Sequence, residues 1–119
     1  MSRNPEDLTP EMQMLYNQFK ERMETAKIDF ILTATFRSQE EQDKLYAQGR
    51  TEPGRIVTWV RHSKHTDRIA FDIAIMKNGK ITWDGNEYAA AGKIGMDIGL
   101  TWGGSWATKT DKPHFELRS

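Results

Sequence analysis

Residues 69–76 read Ile-Ala-Phe-Asp-Ile-Ala-Ile-Met, and two residues later comes Asn78-Gly79. A period of two fits an extended chain. It sends Phe71, Ile73 and Ile75 to one face and Ala70, Asp72 and Ala74 to the other. Asn-Gly is a strong signal for a two-residue hairpin turn, so Lys80 to Trp83 should return as the partner strand. A strand with one bulky apolar face needs a covering element. The earlier chain supplies one: Thr9-Pro10 reads as a cap followed by proline at the first helical position, and Met12, Leu15, Tyr16, Phe19 and Met23 then recur at helical spacing.

The remaining segments fill in the same plan. Phe30 to Thr35 reads as a buried strand. Ser38 with Glu41 forms a capping box, and the helix it starts should end at Gly49. Ile56 to Val60 is β-prone. Asp84 with Glu87 suggests the start of a third helix that ends near Gly99. Leu100-Thr101-Trp102, a turn at Gly103-Gly104 and a last strand around His114 to Leu117 complete the chain. The expected architecture is α+β: a small antiparallel sheet flanked by about three helices, in one domain spanning residues 1–119.

Composition narrows the chemistry. Lysine plus arginine equals aspartate plus glutamate at 17 each, so nothing in the overall charge draws the chain to nucleic acid or an anionic membrane. No apolar run is long enough for a membrane span. The polar start, Met-Ser-Arg-Asn-Pro-Glu-Asp, has no apolar core of a signal peptide, which leads us to expect synthesis in the cytoplasm. There are no cysteines, so disulfides and thiolate metal sites are excluded. A metal would have to be held by carboxylates and by the three histidines, His62, His65 and His114.

His65 and Asp72 flank the start of the alternating strand. Asp72 has only alanines beside it on its face, and a buried carboxylate without a partner is costly. Asp111 precedes His114 by three residues, and Pro113 favours an extended approach to His114. Two imidazoles and one carboxylate make a known catalytic zinc set with a position left for water, and Asp111 is then the candidate base. Plainer readings stand beside this one. Asp72 can pair with Arg68 or Lys77, Asp111 can cap a turn, and spacing alone favours those readings.

Four ordered motifs tip the balance. Ser63-Lys64-His65-Thr66-Asp67-Arg68-Ile69-Ala70-Phe71-Asp72 resembles the Ser-x-His-x-x-Gly-x-Ala-x-Asp signature of the D-Ala-D-Ala metallopeptidases. Asp111-Lys112-Pro113-His114-Phe115-Glu116 resembles that family's second signature. Phe36-Arg37-Ser38, Glu41-Gln42, Leu45-Tyr46 and Gly49-Arg50-Thr51 are similar to its upstream segment. Trp102-Gly103-Gly104-Ser105-Trp106 resembles the turn seen in its phage endolysins.

The resemblance covers roughly Phe30 to Leu117. It implies a hedgehog-like or D-Ala-D-Ala-peptidase-like fold, Zn2+ held by His65, Asp72 and His114, and Asp111 as general base. It further implies that Arg37 is a catalytic cation binding the substrate carbonyl or oxyanion. Ser63 would hydrogen-bond a ligand or the substrate; His62 has no matching role and is expected to be exposed. The implied substrate is the peptidoglycan stem peptide, cut at L-Ala-D-Glu by a monomeric endolysin released through holin-type pores. The rival readings are a D-alanyl-D-alanine carboxypeptidase or dipeptidase, and a non-catalytic wall-binding module of the same fold. Arg68 stands where the signature has glycine; an ordinary turn is expected there, with Arg68 adding positive charge near the substrate.

Overall fold

The computed structural model describes residues 1–117. Its helices are α1 (Pro10–Thr25), α2 (Gln39–Ala47) and α3 (Glu87–Asp97). Its strands are β1 (Asp29–Ala34), β2 (Ala70–Lys77), β3 (Lys80–Thr82), β4 (Thr101–Trp102) and β5 (His114–Glu116). All pairings are antiparallel, in the order β1-β2-β5-β4, with β3 also on β2. The α+β arrangement read from the sequence is therefore the one the chain adopts.

β2 is the centre of the sheet. β1 pairs along its length, while β5 and β3 share its other edge, β5 at the start and β3 at the end. The β2–β3 turn has Asn78 at φ 53° and Gly79 at φ 77°. Two positive φ values in succession match the twist of a tight hairpin, which is why Asn-Gly was diagnostic.

The bulky face of β2 carries the core. Phe71, Ile73 and Ile75 are buried with Phe115 of β5, against Met12, Tyr16, Phe19 and Met23 of α1. Phe19 meets Phe115 at 4.9 Å between ring centroids, and Tyr16 meets Phe71 edge-on at 5.3 Å. Such pairs add roughly 0.5–1.5 kcal/mol each beyond the area they bury. From α3, the Tyr88 hydroxyl accepts from the Ile75 N–H at 3.1 Å and donates to the Thr82 carbonyl at 2.7 Å.

Local signals held where they were self-contained. The Thr9 side chain caps α1 with Pro10 in its first turn. Ser38 and Glu41 form the reciprocal capping box of α2, and Gly49 follows that helix at φ 80°. Two expectations fail. Residues 56–60 form no strand; the Thr58 and Val60 carbonyls are taken by the side chains of Arg50 and Gln42 instead of by a ladder. Asp84 does not cap α3: the cap position is Asn86, with no side-chain bond, after Gly85 turns the chain at φ 108°.

Candidate metal centre

Strand register assembles the site. Asp72 lies beside Ala34 on β1 and directly opposite His114 on β5. Directly opposed residues of an antiparallel pair share a face with their Cβ atoms about 4.5–5.5 Å apart. Forty-two residues of sequence separation thus become one side-chain contact, 2.8 Å from Asp72 Oδ1 to His114 Nδ1.

His65 arrives on a compact turn ahead of β2. Its carbonyl accepts from the N–H groups of Arg37 and Arg68, and its own N–H donates to Ser63 Oγ at 3.1 Å. Its ring Nδ1–H donates to the Thr35 carbonyl at 2.9 Å, just beyond β1. That bond orients the ring and turns Nε2 toward Asp72 Oδ1, 3.2 Å away.

Donor atoms of His65, Asp72 and His114 lie within 4.8 Å of one another. Tetrahedral bonds of zinc length place neighbouring donors about 3.4 Å apart. The 3.2 Å and 2.8 Å contacts need only a slight opening to reach that, so the donor set fits a metal ion. The plainer pairings of Asp72 are excluded. Lys77 pairs with Glu87 at 2.7 Å, and the Arg68 guanidinium donates to the Asp7 carbonyl at 3.0 Å.

The charges reinforce one another. Burial pushes the Asp72 carboxyl up, but hydrogen bonds from His114 and His65 outweigh it and hold Asp72 well below the usual carboxylate range. Burial pulls His114 down, yet contacts with Asp72 and Glu116 push it up to about 9. Glu116 Oε1 lies 2.8 Å from His114 Nε2, so this imidazole is clamped between two carboxylates.

A cleft of about 680 Å³ opens over the site and is also lined by Arg37, Ser63, Trp106 and Asp111. Asp111 is raised by burial and then by the Asp72 charge, against the pull of His114, His65 and Arg37. Its backbone is anchored by an N–H bond to the Gly103 carbonyl at 3.0 Å.

Every residue singled out in the sequence reaches this cleft except Arg68. That side chain lies instead over the Phe36 ring, 3.9 Å from its centroid, and ion-pairs with Asp7. The ordinary turn expected there is also wrong: Arg68 has φ 64°, the left-handed conformation that explains glycine in the signature. His62 is exposed as expected, between Gln39 and Asp67. Sequence reasoning gave no role to Gln42, Trp59 or Trp106. The Trp106 ring lies 5.5 Å from that of His114, and its place beside the glycine turn was the available clue.

Comparison with known proteins agrees with this geometry. Residues 58–117 match the family model described as D-alanyl-D-alanine carboxypeptidase. The chain is 38% identical over 125 residues to the peptidoglycan L-alanyl-D-glutamate endopeptidase CwlK of Bacillus subtilis, covering 95% of this chain and 75% of that protein. It shares its fold with the Serratia marcescens L-Ala D-Glu endopeptidase ChiX, with TM-score 0.79, 21% identity, and coverage of 97% and 84% of the two chains. A Zn(II) complex of the vancomycin-resistance D,D-pentapeptidase VanY has the same fold, with TM-score 0.67 at 16% identity, covering 92% of this chain and 72% of that one. With a matched model spanning half its length and a relative this similar, the chain belongs to the D-alanyl-D-alanine carboxypeptidase family and is a metallopeptidase of peptidoglycan.

Proposed function

We propose that the protein is a zinc-dependent endopeptidase that hydrolyses the L-alanyl-D-glutamate bond of the peptidoglycan stem peptide. The observation that carries the chemistry is the convergence of His65, Asp72 and His114 under a cleft that also holds Asp111 and Arg37. The choice of bond follows from the 38% identity to CwlK.

His65 Nε2, an Asp72 oxygen and His114 Nδ1 would hold the ion. Bound there, zinc supplies a Lewis acid and lowers the pKa of water to about 7. Asp111 takes a proton from the attacking water and hands it to the leaving amine nitrogen. A carboxyl raised by its surroundings is a better proton carrier at neutral pH than an ordinary one. Arg37 steadies the negative charge that develops on the carbonyl oxygen. Its side chain lines the cleft beside Asp111 and His114. Ser63 holds the His65 turn through its oxygen, and its hydroxyl proton is free to meet the peptide.

The test begins with metal analysis and digestion of purified wall. His65→Ala, Asp72→Ala and His114→Ala should lose zinc and activity together. Asp111→Asn should keep zinc and lose roughly 10²–10⁴ in rate, as removal of a general base does. Full activity in that variant would remove Asp111 from the role.

The second reading is a D-alanyl-D-alanine carboxypeptidase, favoured by the description of the matched family model. Mass spectrometry of digested muropeptides separates the two. New N-terminal D-Glu marks the endopeptidase, and released D-Ala the carboxypeptidase. A biological role as a monomeric lysin, made in the cytoplasm and let through to the wall by a holin-type pore, is part of the proposal. It is supported by the endolysin-like turn at residues 102–106. Lysis from within on co-expression with a holin, and none without one, is its test; binding to wall without turnover would instead support a non-catalytic module.

A further inference from the structure

One wall of the cleft, residues 57–60, belongs to no strand or helix, yet it must hold a shape for substrate to meet. Carbonyls of this wall and of the residues flanking it are taken by side chains from α2 and the turn after it. Gln39 Nε2 donates to the Arg61 carbonyl at 2.8 Å, and Arg50 Nη2 to that of Thr58 at 3.1 Å. Gln48 Nε2 donates to the Arg55 carbonyl at 2.9 Å. These side chains stand in for the missing ladder.

Gln42 differs from the others because it is buried and joins this wall to Arg37. It is 0% exposed, and its Nε2 donates to the Val60 carbonyl at 2.7 Å and to Thr58 Oγ1 at 3.2 Å. Its Oε1 accepts from Arg37 Nη1 at 2.8 Å. A buried amide with both ends engaged is hard to replace. A carboxylate keeps the Arg37 contact but cannot donate to Val60, and an apolar chain serves neither. Arg37 itself is a long, rotamer-rich side chain, so a guanidinium held by a buried acceptor is already placed when substrate arrives.

We propose that Gln42 is a positioning residue for the reaction: its buried amide fixes the Arg37 guanidinium and the Thr58–Val60 wall in one shared arrangement. It acts through Arg37 and does not touch substrate. The inference rests on the reading of Arg37 as the cation that steadies the developing charge.

The test is a double-mutant cycle on the zinc-loaded full chain, with a purified muropeptide as substrate. Gln42→Met should lower kcat by roughly 10- to 100-fold, the scale of a small misplacement of a reacting group, with zinc content unchanged. Gln42→Glu, nearly isosteric, should recover part of kcat by keeping the bond to Arg37. It also serves if the methionine variant does not fold. In an Arg37→Ala background, the Gln42 substitutions should cost little further. Losses that multiply in the double variant, or a Gln42→Met enzyme with normal kcat, would overturn the proposal while leaving Arg37 in place. A fully active Arg37→Ala enzyme would overturn both.

Discussion

Arg68 shows how one residue can break a family pattern without harming the site. Its N–H donates to the His65 carbonyl, so the turn that presents a metal ligand needs the left-handed backbone found at φ 64°. Glycine takes that conformation freely; other residues are penalised by about 1–2 kcal/mol. Arginine offsets this with its contacts to Phe36 and Asp7. Comparing two variants isolates the backbone cost, since both lose those contacts. We expect Arg68→Ala to be less stable than Arg68→Gly by about 1 kcal/mol in urea unfolding, with both retaining activity. Equal stability would mean that the turn relaxes out of the left-handed region. The sequence showed that glycine was missing but not why arginine is tolerated, because Phe36 and Asp7 lie 32 and 61 residues away. The triad was legible for another reason: spacing alone left plainer pairings open, but the ordered motifs that resemble the family signatures named the ligands, and strand register sets Asp72 opposite His114.

Elements were legible in proportion to how local their signals are. The caps of α1 and α2 and the Asn78-Gly79 turn are decided within four residues. The segment at 56–60 has strand-like composition but lacks a partner, and a strand is made by its neighbours. The β4–β5 connection presents another long-range demand. A side chain at Gly103 would meet the Asp111 carbonyl oxygen at 2.2 Å, closer than any real contact. That same backbone carbonyl accepts the His114 N–H at 3.1 Å. Gly103→Ala must therefore push back both the candidate base and a candidate ligand. We expect a loss of about 1–3 kcal/mol from overpacking and a drop in activity larger than the stability loss explains. Thermal melts beside muropeptide turnover check this; an active, stable Gly103→Ala protein would show that residues 111–114 move freely.

At the scale of the whole molecule, the site is a patch of concentrated charge in a chain whose formal charges sum to zero. In the metal-free protein the His114 proton does the work of a cation between Asp72 and Glu116. Its pKa rises from 6.5 to about 9 on folding. A raised pKa gives stability that is fully present below 6.5 and lost as pH climbs through about 9. Asp72 is depressed, so its contribution is present above the ordinary value of 3.8 and is lost only in stronger acid. Metal-free protein should thus be most stable between about pH 4 and pH 6.5. A metal ion needs the Nδ1 lone pair and must displace that proton. Affinity should then climb as pH rises from 6.5 toward 9, by up to about tenfold per pH unit for one proton, and level off above. Melting curves with and without a chelator would show the gap between the two forms widening over this interval. Calorimetry in two buffers of different ionisation enthalpy would count the proton released. A gap that stays constant from pH 6.5 to 9 would mean that His114 is already neutral in the metal-free protein and that the carboxylate clamp does not hold it charged.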